Sequence, residues 1–228
     1  MDYSEIEKWS VDELRIQMKK LKLRPCKKKC DMIKVILDEK DKLYIRGKQL
    51  GESGKDAKTF SVNNKYALKQ FSIRKSSKKI MEEAEIQRLV SSVKACPKVI
   101  DVDSDRKYIL MEKLDKHLID VDSEKHVSID NQKQLLKLYD QLDEVGIFHG
   151  DPNPLNYMTK GKKLYVIDFG MSKKITPSLV KKLGSSRPNR DIMTLSMILK
   201  LKAMRFPKSA YSHLIDSMFC EQKERFDL

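Results

Sequence analysis

The chain has 228 residues, 40% of them hydrophobic, and its 47 Lys and Arg outnumber its 33 Asp and Glu for a formal net charge of +14. That length supplies one two-lobed domain with a small appendage rather than two large domains, and the charge concentrates polyanions of any kind, whether nucleic acid, acidic protein or ATP. Without a long apolar run, and with the polar, acidic start Met1-Asp2-Tyr3-Ser4-Glu5, the sequence predicts an intracellular protein with no membrane partner.

Ser10-Val11-Asp12-Glu13 is a capping box and predicts a helix from Val11 to about Leu21, with Val11, Leu14, Met18 and Leu21 on one face. Pro25 ends it. Met32, Ile33, Ile36 and Leu37 then predict a second helix over Lys28–Asp38. Between Glu13 and Lys29 eight basic residues stand against one acid, a local charge of +7. Lys27, Lys28 and Lys29 crowd a helix N-terminus, where they oppose the macrodipole unless phosphates bind the free backbone amides there. Cys26, Cys30, Cys96 and Cys220 offer neither a zinc pattern nor a disulfide framework, so reduced thiols are expected.

The series Glu13-Leu14, Lys19-Lys20, Leu23, Lys28-Lys29 and Met32-Ile33 resembles the SAP motif, a two-helix DNA-binding module, over about residues 9 to 38. Lys22 and Lys27 stand where that family commonly has Gly. The resemblance implies DNA as a partner, with Lys19, Lys20, Lys27, Lys28 and Lys29 on its phosphates. A basic hairpin that only braces the next domain is the alternative.

A charged connector, Asp38 to Lys42, leads to the strand-like run Leu43-Tyr44-Ile45. In Leu50-Gly51-Glu52-Ser53-Gly54-Lys55 two glycines let the backbone approach phosphates. This is no Walker motif, since no Gly stands five residues before Gly54 and Asp56 replaces Ser or Thr. Thr59–Val62, Asn63-Asn64 and Lys65–Lys69 read as a hairpin. A helix over about Ser77–Val93 carries Glu82, Glu83 and Glu85, and Tyr108–Leu114 reads as a strand running into a connection.

Leu135, Leu138, Leu142 and Val145 recur at helical spacing up to Gly146. His149-Gly150-Asp151 and Asn156 follow, then a β-branched run from Lys163 to Ile167 that delivers Asp168-Phe169-Gly170. This H-x-D-x(4)-N pattern, with D-F-G starting twelve residues beyond its Asn, resembles the catalytic and metal loops of the protein-kinase-like superfamily. The resemblance implies an enzyme that uses ATP and Mg2+, with Asp151 as the base for the attacking hydroxyl and Asn156 and Asp168 as metal ligands. It further implies a reduced glycine-rich loop at Gly51, Ser53 and Gly54, and Lys69 on the α- and β-phosphates. Glu83 is the expected partner of Lys69, because Ile86 and Val90 follow it at the family spacing; Glu82 is the rival. Met111 becomes the gatekeeper, and the backbones of Glu112 and Leu114 the adenine contacts. His149, Gly170 and Asp191 are expected to support the catalytic loop.

His-Gly-Asp, with Asn153 in place of the usual Lys, is similar to the RIO kinases, the KEOPS-complex kinase and the aminoglycoside phosphotransferases. Gly150 replaces an Arg that would meet an activation-loop phosphate, so activity without loop phosphorylation is expected. No A-P-E occurs, and only 37 residues follow Asp191. The expected architecture is α+β: a SAP-like helical module over 1–40, a kinase N-lobe and hinge over 41–114, and a minimal C-lobe over 115–228. The combination looks like the small Ser/Thr kinases of large DNA viruses, which implies a protein substrate and action in a nucleus, viral factory or virion. A small-molecule phosphotransferase and an inactive DNA-binding scaffold are the other readings, and ATP hydrolysis without an acceptor stays open.

Overall fold

The computed structural model describes residues 3–43, 46–51, 54, 56–119, 125–218 and 226. After a 3-10 turn over Tyr3–Lys8, helix α1 spans Val11–Lys20 and α2 spans Lys29–Leu43. The capping box forms at Ser10, whose side chain accepts from the Glu13 amide while Glu13 takes the Ser10 amide at 2.7 Å. The pair closes on a core of its own, in which Ile6, Leu14, Met18, Met32 and Ile36 are buried. Helix α2 runs on through Asp38–Lys42, expected as a connector, because that run holds no Gly or Pro and places Asp38 four residues before Lys42, a helix-supporting order. The strand-like run expected at Leu43 is not formed there, since Leu43 is helical; Tyr44 and Ile45 lie outside the described residues.

Helix α1 ends in a Schellman motif, with the Lys22 amide on Lys19 O at 3.2 Å and the Leu23 amide on Met18 O at 2.9 Å. Lys22 itself takes φ +56°, the left-handed conformation, so the backbone that a Gly would adopt is kept without the Gly. A side chain there costs about 1–2 kcal/mol.

The N-lobe is a five-stranded antiparallel sheet in the order β1-β2-β3-β5-β4, from β1 (Gln49–Leu50), β2 (Ala57–Val62), β3 (Tyr66–Phe71), β4 (Val99–Asp103) and β5 (Tyr108–Glu112). Asn63 and Asn64, at φ +49° and +53°, make the tight turn between β2 and β3, whose twist suits a hairpin. Helix α3 (Ser77–Ser92) covers one face through Ile80 and Ala84, which pack with Ala67, Phe71, Ile109 and Met111. Its far end, Val90, joins the larger C-lobe core, so this one helix links both lobes.

The C-lobe is built on α4 (Ile129–Glu144), with a small sheet of β6 (Lys116–His117), β8 (Tyr157–Lys160) and β9 (Lys163–Val166) against it. A second ribbon pairs β7 (Ile147–Phe148) with β10 (Lys173–Lys174). Helix α5 (Pro177–Leu183), a π-helical turn at Asn189–Met193, α6 (Thr194–Ala203) and α7 (Ser212–Asp216) complete it. This is the two-lobed kinase-like fold with a reduced C-lobe. Cys26, Cys30 and Cys96 are free thiols, and Cys220 lies outside the described residues.

Lys22→Gly should stabilise the helical pair by about 0.5–1 kcal/mol, the relief of left-handed strain less the extra freedom of Gly in the unfolded chain. Chemical denaturation followed by helix circular dichroism measures this; a loss of stability would mean that the Lys22 side chain itself holds the turn.

Candidate active site

Hairpin pairing sets Lys69 on β3 opposite Thr59 and Ile109, and its ammonium reaches Glu83 Oε1 of α3 at 2.6 Å and Asp168 Oδ1 at 2.8 Å. Of the two glutamates left open by the sequence, Glu83 is the one that meets Lys69. It is 3% exposed, whereas Glu82 points to solvent and lies 4.0 Å from Lys78. Burial works against the charge on Lys69, but the Glu83 and Asp168 carboxylates outweigh it and raise the lysine's pKa. Burial likewise raises the Asp168 carboxyl, and Lys69, with the Gly170 amide, overcomes this and lowers it. Lys69 and Asp168 thus each favour the charged form of the other.

Asp168 carries φ +65°, a left-handed conformation in a non-Gly residue, held by the buried Phe169 that follows it. Phe169 and Val90 of α3 belong to the same C-lobe core, so the loop that carries Asp168 and the helix that carries Glu83 are anchored in one packed cluster. A Cβ at Gly170 would come within 3.2 Å of Asp168 Oδ1 and 3.4 Å of Glu83 Oε2, which leaves no room for a side chain beside the cluster.

Asp151 stands at the end of the β7 turn. Its Oδ1 accepts the Asn153 amide at 3.1 Å and its Oδ2 accepts Asn156 Nδ2 at 2.8 Å. Because Asn156 donates its Nδ2 inward, its Oδ1 is left as an oxygen donor. With the half-exposed Asp168 carboxylate this makes a hard-oxygen pair that fits Mg2+, an ion that takes few protein ligands and completes its shell with phosphate and water. Gly150 takes φ +77°, and a Cβ there would approach Met171 O to 3.1 Å, so the Arg of common protein kinases meets both strain and crowding at this position.

His149 is fully buried, its ring edge-on to Phe169 at 5.4 Å, with Nε2 3.0 Å from Ile167 O and Nδ1 3.1 Å from Asp151 O. The imidazole therefore ties the catalytic loop to the strand that delivers Asp168. Burial lowers its pKa and so favours the neutral ring, although both carbonyls favour a proton.

The support expected from Asp191 is corrected. Its carboxylate accepts Ser185 Oγ at 2.6 Å and holds the segment before the π-helical turn. Asn189 braces the catalytic loop instead: its Oδ1 accepts the His149 amide at 2.9 Å, and its Nδ2 donates to Ile147 O and to Asp143 Oδ1, each at 2.7 Å. Asp143 in turn accepts the Asn189 and Arg190 amides. The wider π turn at Asn189–Met193 brings Asn189, rather than the acid two residues on, under the loop.

Among the residues expected to meet adenine, Met111 is buried with Gln87 Nε2 3.5 Å from its sulfur. The Glu112 amide pairs with Lys98 O at 3.0 Å, so only its carbonyl can serve a ligand; among the described residues the Leu114 amide donates to no backbone carbonyl. Gly51 takes φ +67° just after β1, Gly54 lies beside Ala57 O, and Ser53 is outside the described residues. On the helical pair, Lys19, Lys20, Lys27, Lys28 and Lys29 are all exposed, and Lys29 also donates to Glu7 O at 2.9 Å. One residue that the motifs did not single out, Lys75, also reaches the cluster, 3.6 Å from Glu83 Oε2.

A lysine shared by a buried glutamate and a D-F-G aspartate, above an Asp–Asn loop, defines an atypical kinase-like, ATP-binding phosphotransferase. A family model, the RIO domain, matches residues 42–204, and the chain belongs to that family. Its members use ATP and Mg2+ in general. No curated protein matches the chain.

Asn189→Ala strands a buried amide and a carbonyl and should cost about 2–4 kcal/mol, against about 1 kcal/mol or less for Asp191→Ala. Urea unfolding of both variants checks the order; a costlier Asp191→Ala would restore the brace to that residue.

Proposed function

We propose that the chain is a compact Mg-ATP-dependent Ser/Thr protein kinase held near its substrates on DNA by the N-terminal helical pair. Lys69, kept in place by Glu83, binds the α- and β-phosphates. Gly51, Ser53 and Gly54 lie over the phosphates, and the Glu112 carbonyl and Leu114 amide take adenine. Asn156 and Asp168 hold Mg2+, which when bound neutralises charge on the phosphates. Asp151 accepts the hydroxyl proton of the substrate as that oxygen bonds to the γ-phosphorus and ADP leaves. Its two hydrogen bonds from Asn153 and Asn156 fix its direction before substrate arrives.

The observation that carries this reading is the buried Lys69–Glu83 pair, joined at the same ammonium by Asp168. A scaffold without catalysis has no use for a buried glutamate that holds a lysine against the Asp of D-F-G. The DNA part rests on a different feature: five exposed lysines flank the ends of α1 and α2, and Lys22 keeps a charged side chain in a strained turn among them. Tethering of this kind raises the effective concentration of DNA-bound acceptors.

One incubation tests both parts: labelled ATP with Mg2+ and casein or histone, with and without duplex DNA. Asp151→Asn should lower phosphate transfer by about 10²- to 10⁴-fold with nucleotide binding retained. Transfer equal to wild type removes Asp151 from the chemistry. For the tether, duplex affinity should fall with salt at a log-log slope of about −3 to −5, and changing Lys27, Lys28 and Lys29 together to Gln should flatten it by up to about 2.7. An unaltered slope would make the helical pair a brace.

A further inference from the structure

Glu83 has two oxygens, and Lys69 satisfies one. Oε2 is buried and accepts no hydrogen bond among the described residues, yet the Lys75 ammonium lies 3.6 Å from it. Lys75 is itself only 12% exposed. Its nitrogen is also 3.9 Å from Asp56 Oδ2 and 3.6 Å from where a Cβ on Gly170 would stand. Lys69 and Lys75 flank the same aromatic ring, 5.3 Å and 5.5 Å from the centroid of Phe71. Two cations are therefore packed around one carboxylate at the end of the cleft where Asp168 lies.

The position of Lys75 is not explained by the helix it precedes. Ser76 caps α3, so Lys75 sits just before the positive end of the helix dipole, and the first turn carries Lys78 and Lys79 with no acid to offset them. The loop is nonetheless fixed on both sides. The Lys75 amide donates to Ser72 O at 3.0 Å, and Lys107, from the β4–β5 turn, donates its ammonium to Lys75 O at 2.9 Å and lies 3.3 Å from Ser77 Oγ. A long side chain rooted in a pinned loop, directed inward against the dipole, is offset by Glu83 and in part by the more exposed Asp56.

We propose that Lys75 is a positioning residue of the nucleotide site: it holds the second oxygen of Glu83, so that the glutamate stays buried and in place while Lys69 turns its remaining donor to the phosphates. Without Lys75, Glu83 depends on Lys69 alone. The lysine is then drawn inward by a carboxylate with no other counter-charge, and its attraction for phosphate falls. This inference rests on the reading of Lys69 as the phosphate-binding lysine.

Calorimetric titration of the full chain with Mg-ATP tests it. Lys75→Met should weaken binding about tenfold, the size of a typical coupling within one ion network, and Lys75→Arg should restore most of the loss. In a Glu83→Gln background Lys75→Met should have little further effect, because the charge it serves is gone. A purely structural role would shift the thermal midpoint but leave affinity unchanged where the protein is folded; that result, or an equal loss in both backgrounds, overturns the proposal. Lys75→Gln gives the same comparison where the Met variant does not fold. Lys69→Met separates the two readings: lost affinity there, with Lys75→Met unaffected, overturns the role of Lys75 alone, whereas intact affinity overturns the nucleotide site and this inference together.

Discussion

A buried glutamate on α3 is the constraint around which the nucleotide half of the molecule is arranged. Glu83 leaves water because Lys69 stands 2.6 Å from one of its oxygens and Lys75 3.6 Å from the other, and removing a partner of such a pair costs about 3–5 kcal/mol by leaving an uncompensated charge. To meet, β3 must pair in register with β2 and β5, and α3 must lie across that sheet through Ile80 and Ala84. The same helix reaches the C-lobe core at Val90, the core that also holds Phe169. The geometry of the ion pair is thereby coupled to the loop that carries Asp168.

The catalytic loop depends on a separate support. His149 lies within reach of the Ile167 and Asp151 carbonyls, one of which takes the single N–H of the neutral ring, and Asn189 fixes the His149 amide and the Ile147 carbonyl from below. Gly150 gives the chain the left-handed turn this requires beside Met171 O, which is why the charged residue of phosphate-regulated kinases has no place here. Strain at Gly150 is absent because it is Gly; at Asp168 it is present and is held by the packing of Phe169.

Much of this was legible because linear spacing carried it. Asp151 and Asn156 lie on the loop before the β8–β9 hairpin and Asp168 on the loop after it, so the hairpin brings the two loops together over a short stretch of chain. Glu83 is preferred over Glu82 because Ile86 and Val90 follow it at the spacing of the resembled family, and Glu83 does face inward. Features that depend on tertiary context were not legible. The π turn rotates Asn189 rather than Asp191 under the catalytic loop, and no propensity announces a π turn. Lys75 lies in a polar run that reads as solvated, and only the fold shows its ammonium against Glu83. Helix α2 ends later than expected for a plainer reason: the charged run after Leu37 contains no helix breaker.

Asp168, half-exposed and 2.8 Å from the Lys69 ammonium, is the carboxylate that would hold Mg2+ in the proposed nucleotide site. The affinity of the full chain for ATP, measured by calorimetry with Mg2+ and again with the metal chelated, tests this most directly. The prediction is an affinity that rises with Mg2+ in the wild type and loses that rise in Asp168→Ala, since the variant lacks the carboxylate that takes the ion. Equal affinity with and without Mg2+, or a metal response unchanged in Asp168→Ala, would contradict it.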